Sequence, residues 1–90
     1  LQKVERRLES LVFKDARTRI VDFIRDLGRE KGQAIGKETL VKPNLTHQDM
    51  ANLTATSRQT VTTVLNELKD NDLIYLERNK FLIRDLERLV

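Results

Sequence analysis

Hydroxyl side chains are concentrated in one short stretch of the sequence, residues 54–63. They are Thr54, Thr56, Ser57, Thr60, Thr62 and Thr63. Threonine is a mediocre helix former because its branched side chain loses rotamer freedom in a helix, so this cluster needs a chemical reason. Short hydroxyl side chains at a helix N-terminus let backbone N–H groups come close to a phosphate, and the helix dipole favours the anion. The chemistry that this stretch suggests is phosphate binding.

The helix that should begin after Ser57 carries polar side chains along one side. Its predicted buried side consists of Val61, Val64, Leu65 and Leu68, which recur at helical spacing. The opposite side holds Arg58, Gln59, Thr62, Thr63 and Asn66. These side chains donate or accept hydrogen bonds, as contacts with base edges in the major groove require. The pattern favours a helix that contacts nucleic acid.

Catalytic and metal-binding chemistry finds no support in the sequence. There is no cysteine, and the single histidine, His47, has no partner at a metal-ligand spacing. Asp70 and Asp72 are close in sequence, but no base, nucleophile or glycine-rich phosphate loop accompanies them, so they are interpreted as turn formers. We therefore expect that this chain is not an enzyme and that it binds neither a metal ion nor a cofactor.

Two short helices joined by a tight turn should position the polar side chains. Thr46 precedes Asp49 by three residues, a capping-box arrangement that predicts the start of the first helix. Its predicted inward face consists of Met50, Ala51 and Leu53. After the turn, Ser57 caps the second helix, which should end near Asn71. This arrangement is a helix-turn-helix.

Further elements are predicted on both sides of this pair. Asp15 is a candidate cap for an earlier helix, whose apolar face is Ala16, Ile20, Phe23, Ile24 and Leu27. A short strand is expected at 38–41, a strand hairpin at 73–83 and a short closing helix at 84–90. A hairpin that follows a helix-turn-helix makes a winged helix, so the predicted fold is mainly α with a small β-hairpin wing.

The first residues read as the end of another helix. Leu1, Val4, Leu8 and Leu11 form a heptad-like seam. Such a seam fits either a terminal helix that packs on its own domain or the end of a dimerisation helix, and we favour the latter. Residues 1–13 are thus assigned to a dimerisation helix and hinge, and residues 14–90 to a winged-helix domain. The chain begins without methionine, which suggests a piece of a longer protein.

Composition limits the class of protein. Ninety residues make one small domain, and 17 basic against 14 acidic side chains give a net charge of +3. No apolar run approaches the roughly 18 residues needed to cross a membrane. The lack of cysteine fits a reducing compartment, so a cytoplasmic location is expected.

The sequence also resembles a known family. The segments "DARTRIVDFI", "LTHQDMANLTATSRQTVTTVLNELKDNDLI" and "FLIRDLERL" are similar to the C-terminal winged-helix domain of the cyclic-AMP receptor protein and fumarate-nitrate regulator (Crp/Fnr) superfamily of bacterial transcription factors. The resemblance implies sequence-specific binding of double-stranded DNA as a homodimer on a palindromic operator, with RNA polymerase as a further partner. It also implies that a ligand-sensing barrel, absent here, precedes this domain.

The resemblance assigns roles to individual residues. Arg58, Gln59 and Thr63 occupy positions that reach base edges. The implied phosphate contacts are Ser57 and Thr60, and His47 and Gln48 match positions that contact the DNA backbone. Apart from the resemblance, Thr46 and, on the predicted wing, Arg78 and Lys80 are further candidate phosphate contacts. For Arg78 and Lys80, DNA contact and an ordinary solvated surface are about equally supported.

Three residues depart from the family pattern. Gln59 stands where the family often has Glu, and Thr63 stands where the cyclic-AMP binding member has Arg, so the recognised sequence should differ from that member's. Ala55 replaces the usual turn Gly, and a left-handed conformation there would cost about 1–2 kcal/mol.

The distribution of charge leaves a second interpretation open. Residues 1–31 contain nine basic and six acidic side chains, whereas residues 32–90 contain eight of each. Basicity is therefore a weak argument for nucleic acid. The alternative is a winged-helix module that contacts protein without reading DNA directly.

Overall fold

The computed structural model describes residues 2–77 and 80–89, with side chains described from residue 13 onward. Its elements in chain order are α1 (Gln2–Lys31), β1 (Gln33–Ile35), β2 (Glu38–Val41), α2 (His47–Thr54), α3 (Arg58–Asp70), β3 (Ile74–Glu77), β4 (Lys80–Ile83) and a 3-10 turn at Leu86–Arg88. Three α-helices and a small antiparallel sheet confirm the predicted winged helix-turn-helix.

Helix α1 is continuous over 30 residues. The prediction that a separate helix begins at Asp15 is therefore wrong. The Asp15 carboxylate forms an ion pair with Arg19 one turn later, so this acid supports the helix interior instead of capping a start. The predicted seam of Leu1, Val4, Leu8 and Leu11 lies outside the described side chains. The division at residue 13 stays a prediction.

The C-terminal half of α1 packs against the rest of the domain through its predicted apolar face. Ala16, Ile20, Ile24 and Leu27 are buried, and Phe23 is half-buried. At Gly28 a side chain would come within 2.8 Å of Ile83 Cδ1, so glycine permits close packing of this helix on the sheet.

The sheet contains four antiparallel strands in the order β1-β2-β4-β3. Strands β1 and β2 form a hairpin whose turn places Gly36 at a φ of 65°, a conformation that glycine adopts readily. Leu40 of β2 pairs with Leu82 of β4, and Leu82 pairs with Tyr75 of β3. The strand predicted at 38–41 and the later hairpin are confirmed, and the structure joins them in one sheet.

The wing is the hairpin of β3 and β4. Its last described pair is Glu77 with Lys80, whose side chains form an ion pair of 3.2 Å. Arg78, one of the predicted phosphate contacts, lies outside the described residues.

The core lies between α1, α3 and the inner face of the sheet. Residues from separate elements are fully buried there, including Ile20, Ile24, Val64, Leu68 and Ile83. The predicted closing helix is the single 3-10 turn, after which Leu89 is also buried. This core fixes the orientation of α3 relative to α1 and the wing.

Candidate nucleic-acid interface

Helix α2 begins with the predicted capping box. The Thr46 hydroxyl accepts a hydrogen bond from the Asp49 amide at 3.0 Å, and the Asp49 carboxylate accepts one from the Thr46 amide at 3.0 Å. Met50 and Ala51 are buried as expected, whereas Leu53 is 63% exposed, so the prediction that Leu53 faces inward is wrong. Because α2 has only eight residues, its buried side is narrow and holds Met50, Ala51 and Thr54.

The turn between α2 and α3 contains a residue in the left-handed conformation. Ala55 adopts φ 55° and ψ 44°, and the Thr56 amide donates to the Ala51 carbonyl at 2.9 Å. Arg19 of α1 donates to the carbonyl oxygens of Thr54 at 2.9 Å and Ala55 at 3.2 Å. These carbonyls lack partners within α2, so Arg19 caps the helix end and ties it to α1.

Several hydroxyls of the 54–63 stretch support the local structure. Thr54 is buried, and its hydroxyl donates to the Met50 carbonyl at 2.8 Å. Ser57 caps α3 by accepting from the Thr60 amide at 3.1 Å, and its Oγ lies 2.7 Å from Thr60 Oγ1. Part of the threonine cluster is thus explained by helix termini alone.

The predicted base-reading residues lie together on the solvent side of α3. Arg58, Gln59 and Thr63 are exposed, as is Asn66 one turn further on. The opposite side is buried as predicted, through Val61, Val64, Leu65 and Leu68. The helix therefore presents one continuous polar surface, and a rigid core holds it from behind.

The predicted phosphate-contacting residues that the structure describes at the start of α2 and on the wing differ in exposure. Thr46 and Gln48 are exposed at the start of α2, and Gln48 donates to Asn52 at 3.0 Å. His47 is half-buried, with Nδ1 2.9 Å from Thr62 Oγ1 on α3. Lys80 is half-buried beside Glu77. The role of each residue as a phosphate contact stays a prediction.

A groove of about 360 Å³ separates the start of α2 from the wing. Thr46 and His47 line one side and Lys80 lines the other, with Glu77 beside it. The structure therefore brings the α2 and wing candidates to a common groove, although they are more than 30 positions apart in sequence.

Sequence reasoning missed the arginines that hold α1 to the helix pair. Arg17 Nε lies 2.8 Å from Glu67 Oε1 on α3, and Arg19 bonds the end of α2. The partners are separated by 50 and 35 positions, so no local pattern in the sequence points to them.

Metal ligation and membrane spanning find no support in the part of the chain that the structure describes. Within residues 2–77 and 80–89, no cluster of three or more His, Cys, Asp or Glu is arranged to hold a metal ion. None of the described helices has the length and apolarity needed to cross a membrane.

Comparison with known proteins places these features in context. A family profile described as a Crp-like helix-turn-helix domain matches residues 18–90. The chain is 32% identical over 89 residues to a CRP-like cAMP-activated global transcriptional regulator of Mycobacterium tuberculosis (strain H37Rv). That match covers 99% of this chain and 40% of the relative, so the chain spans about two-fifths of the relative's length.

Solved structures show the same fold. The CO-dependent transcription factor CooA from Carboxydothermus hydrogenoformans, in its imidazole-bound form, superposes with a TM-score of 0.79 at 29% identity, covering 91% of this chain and 38% of CooA. Reduced, ligand-free CprK gives a TM-score of 0.76 at 24% identity, covering 99% of this chain and 44% of CprK. The likeness to CprK bears on the fold alone.

Proposed function

Since the chain belongs to the family of Crp-like helix-turn-helix domains, we propose that it binds double-stranded DNA and reads its sequence with α3. The observation that carries this proposal is the exposed polar surface of Arg58, Gln59 and Thr63 opposite a fully buried apolar side. A recognition helix needs both properties, because its side chains must reach base edges while its backbone stays fixed.

The three base-reading residues have different chemistry. Arg58 is suited to a bidentate contact with guanine O6 and N7, and Gln59 to adenine N6 and N7. Thr63 is short, and its methyl group suits the methyl group of thymine. These preferences describe a half-site with one guanine in an A·T-rich setting.

Phosphate contacts would fix the domain on the duplex. We assign them to Thr46, His47 and Gln48 at the start of α2, to Ser57 and Thr60 at the start of α3, and to Arg78 and Lys80 on the wing. Both helix starts offer backbone N–H groups and a favourable dipole to an anion.

The function of the whole protein is proposed by analogy with its relatives. One relative is described as cAMP-activated and another as CO-dependent. We infer that this domain belongs to a ligand-responsive bacterial regulator, with its effector site in another domain. The regulator would act in the cytoplasm as a homodimer on a palindromic operator, contact RNA polymerase and catalyse no reaction.

A salt series tests DNA binding directly. Fluorescence anisotropy would compare the affinity of the chain for a duplex selected from a random pool with its affinity for a scrambled duplex of equal composition. We expect a preference for the selected duplex and a linear fall of log affinity with log salt, because phosphate contacts release counterions. Equal, salt-independent binding, or no binding at low salt, would favour the protein-contact module.

A further inference from the structure

Thr62 differs from its neighbours on the polar side of α3. Its hydroxyl lies 2.9 Å from Nδ1 of His47 on α2, whereas Thr63 is exposed. Both side chains are half-buried. This hydrogen bond links the first helix of the helix-turn-helix to the second, 15 positions later.

We propose that Thr62 is a positioning residue that holds His47 with its Nε2–H available to a DNA phosphate. The proposal rests on the proposed function, since it assigns one phosphate contact within the same surface. Either atom of this pair could be the donor. We assign that role to the Thr62 hydroxyl, which leaves the proton of the neutral ring on Nε2.

The tautomer matters because a neutral imidazole has one donor and one acceptor nitrogen. Which nitrogen carries the proton is set by the hydrogen bond that the other makes. With the proton on Nε2, the free edge of the ring donates to an anion. With the proton on Nδ1, the same edge would present a lone pair to the phosphate and repel it.

The charged groups around His47 have partners of their own. The Asp49 carboxylate accepts from the Thr46 amide at 3.0 Å, and on the wing Glu77 pairs with Lys80 at 3.2 Å. Thr62 supplies the hydrogen bond that the structure gives to the His47 ring. The position of the Thr62 hydroxyl therefore fixes where Nδ1 points, and its role as donor leaves the ring proton on Nε2.

The tautomer is measurable without DNA. Nitrogen-15 NMR of the His47 ring at about pH 8.5, above the range in which histidine side chains change charge, distinguishes the two neutral forms. We expect the Nε2–H form in the wild type and in Thr62→Ser, and a mixture in Thr62→Val. A predominant Nδ1–H form in the wild type would overturn the inference and leave the proposed function standing.

A double-mutant cycle tests the consequence for binding. We expect Thr62→Val to weaken DNA affinity about 3- to 10-fold, as for loss of one hydrogen bond, and Thr62→Ser to restore it. In a His47→Ala background the same Thr62→Val change should have no further effect. An equal loss in both backgrounds would show that Thr62 acts independently of His47.

Two controls distinguish loss of the hydrogen bond from loss of folding or of DNA binding as a whole. Circular dichroism melting would show whether Thr62→Val folds, and Thr62→Ala is the substitute variant if it does not. If the wild type failed to bind any duplex, the proposed function would fail, and the phosphate role of His47 with it. The NMR result would still report the tautomer independently.

Discussion

Arg58 is exposed to solvent and has a fixed backbone, because it begins α3 immediately after the Ser57 cap. Replacing Arg58 with Ala removes the side chain suited to guanine but leaves the core and the cap intact. We expect the difference in binding free energy between selected and scrambled duplexes to shrink by about 1–3 kcal/mol, the discrimination of one bidentate contact, so the ratio of their affinities falls. Competition anisotropy measures this ratio.

Lys69→Ala is the matched control for Arg58→Ala. Lys69 is also an exposed basic residue of α3, but it lies in the last turn, far from the Ser57 end. We expect its loss to leave the ratio of affinities unchanged. An unchanged ratio for Arg58→Ala as well would remove Arg58 from the base-reading set.

Gln59 should determine which base pair is preferred at the position it contacts. A glutamine pairs with adenine N6 and N7, whereas a glutamate accepts a hydrogen bond from cytosine N4. Selection from a random duplex pool should therefore enrich A·T at that position for the wild type and G·C for Gln59→Glu. The same enriched bases for both proteins would show that Gln59 does not contact a base.

At the scale of elements, the turn between α2 and α3 retains a strained residue. Ala55 has φ 55°, where an L-residue with a Cβ pays about 1–2 kcal/mol and glycine does not. Replacing Ala55 with glycine removes this strain, but glycine also raises the conformational entropy of the unfolded chain, which offsets part of the gain in stability. We expect Ala55→Gly to stabilise the domain by about 0.5–1 kcal/mol, which raises the melting temperature by roughly 4 °C.

Ala55→Val provides the comparison at the same position. A β-branched side chain at positive φ is more strained than alanine, so this variant should melt below the wild type. In thermal melts we expect the Ala55→Gly variant to be the most stable, the wild type to be intermediate and the Ala55→Val variant to be the least stable. If the glycine variant melted below the wild type, strain at this turn would be disproved.

The sequence predicted elements whose signals are local. The caps Thr46 and Ser57 and the buried side of α3 were confirmed, because each depends on residues within a few positions. The start assigned to Asp15 was wrong because an acid suits the helix interior equally well when Arg19 follows four residues later.

The remaining features depend on contacts between distant segments. Whether Leu53 is buried depends on how α1 packs on the short α2. Strand β2 pairs with β4, which lies about 40 residues later in the sequence. The contact between His47 and Thr62 likewise joins two different helices, 15 positions apart in sequence. Side-chain spacing predicted the polar surface of α3, whereas the groove between the start of α2 and the wing appeared only in the folded chain.

At the scale of the whole molecule, symmetric operators require two copies of the domain. Half-sites one helical turn apart lie about 34 Å from each other and are contacted by a dimer. The predicted seam at residues 1–11 is the part of this chain that we expect to join two copies, and it is short. We therefore expect the chain to sediment as a monomer at low micromolar concentration.

Linking two copies through their N-termini provides the complementary measurement. A linked pair should bind a palindrome far more tightly than a single half-site, because the second contact becomes intramolecular. The unlinked chain should show little difference between these duplexes. A tight dimer of the unlinked chain in sedimentation would contradict the prediction and assign a stronger interface to this domain.

The two arginines of α1 have a mechanical consequence. Arg17 and Arg19 connect one stiff helix to both members of the helix pair, so α1 and α3 must turn together unless these contacts break. About 22 Å of helix extends from Arg17 back to Gln2 at 1.5 Å per residue. A sideways shift of that end by about 4 Å corresponds to a tilt of about 10°. While α1 stays straight and these contacts hold, we expect a small displacement at its tip to rotate the polar surface of α3 with it.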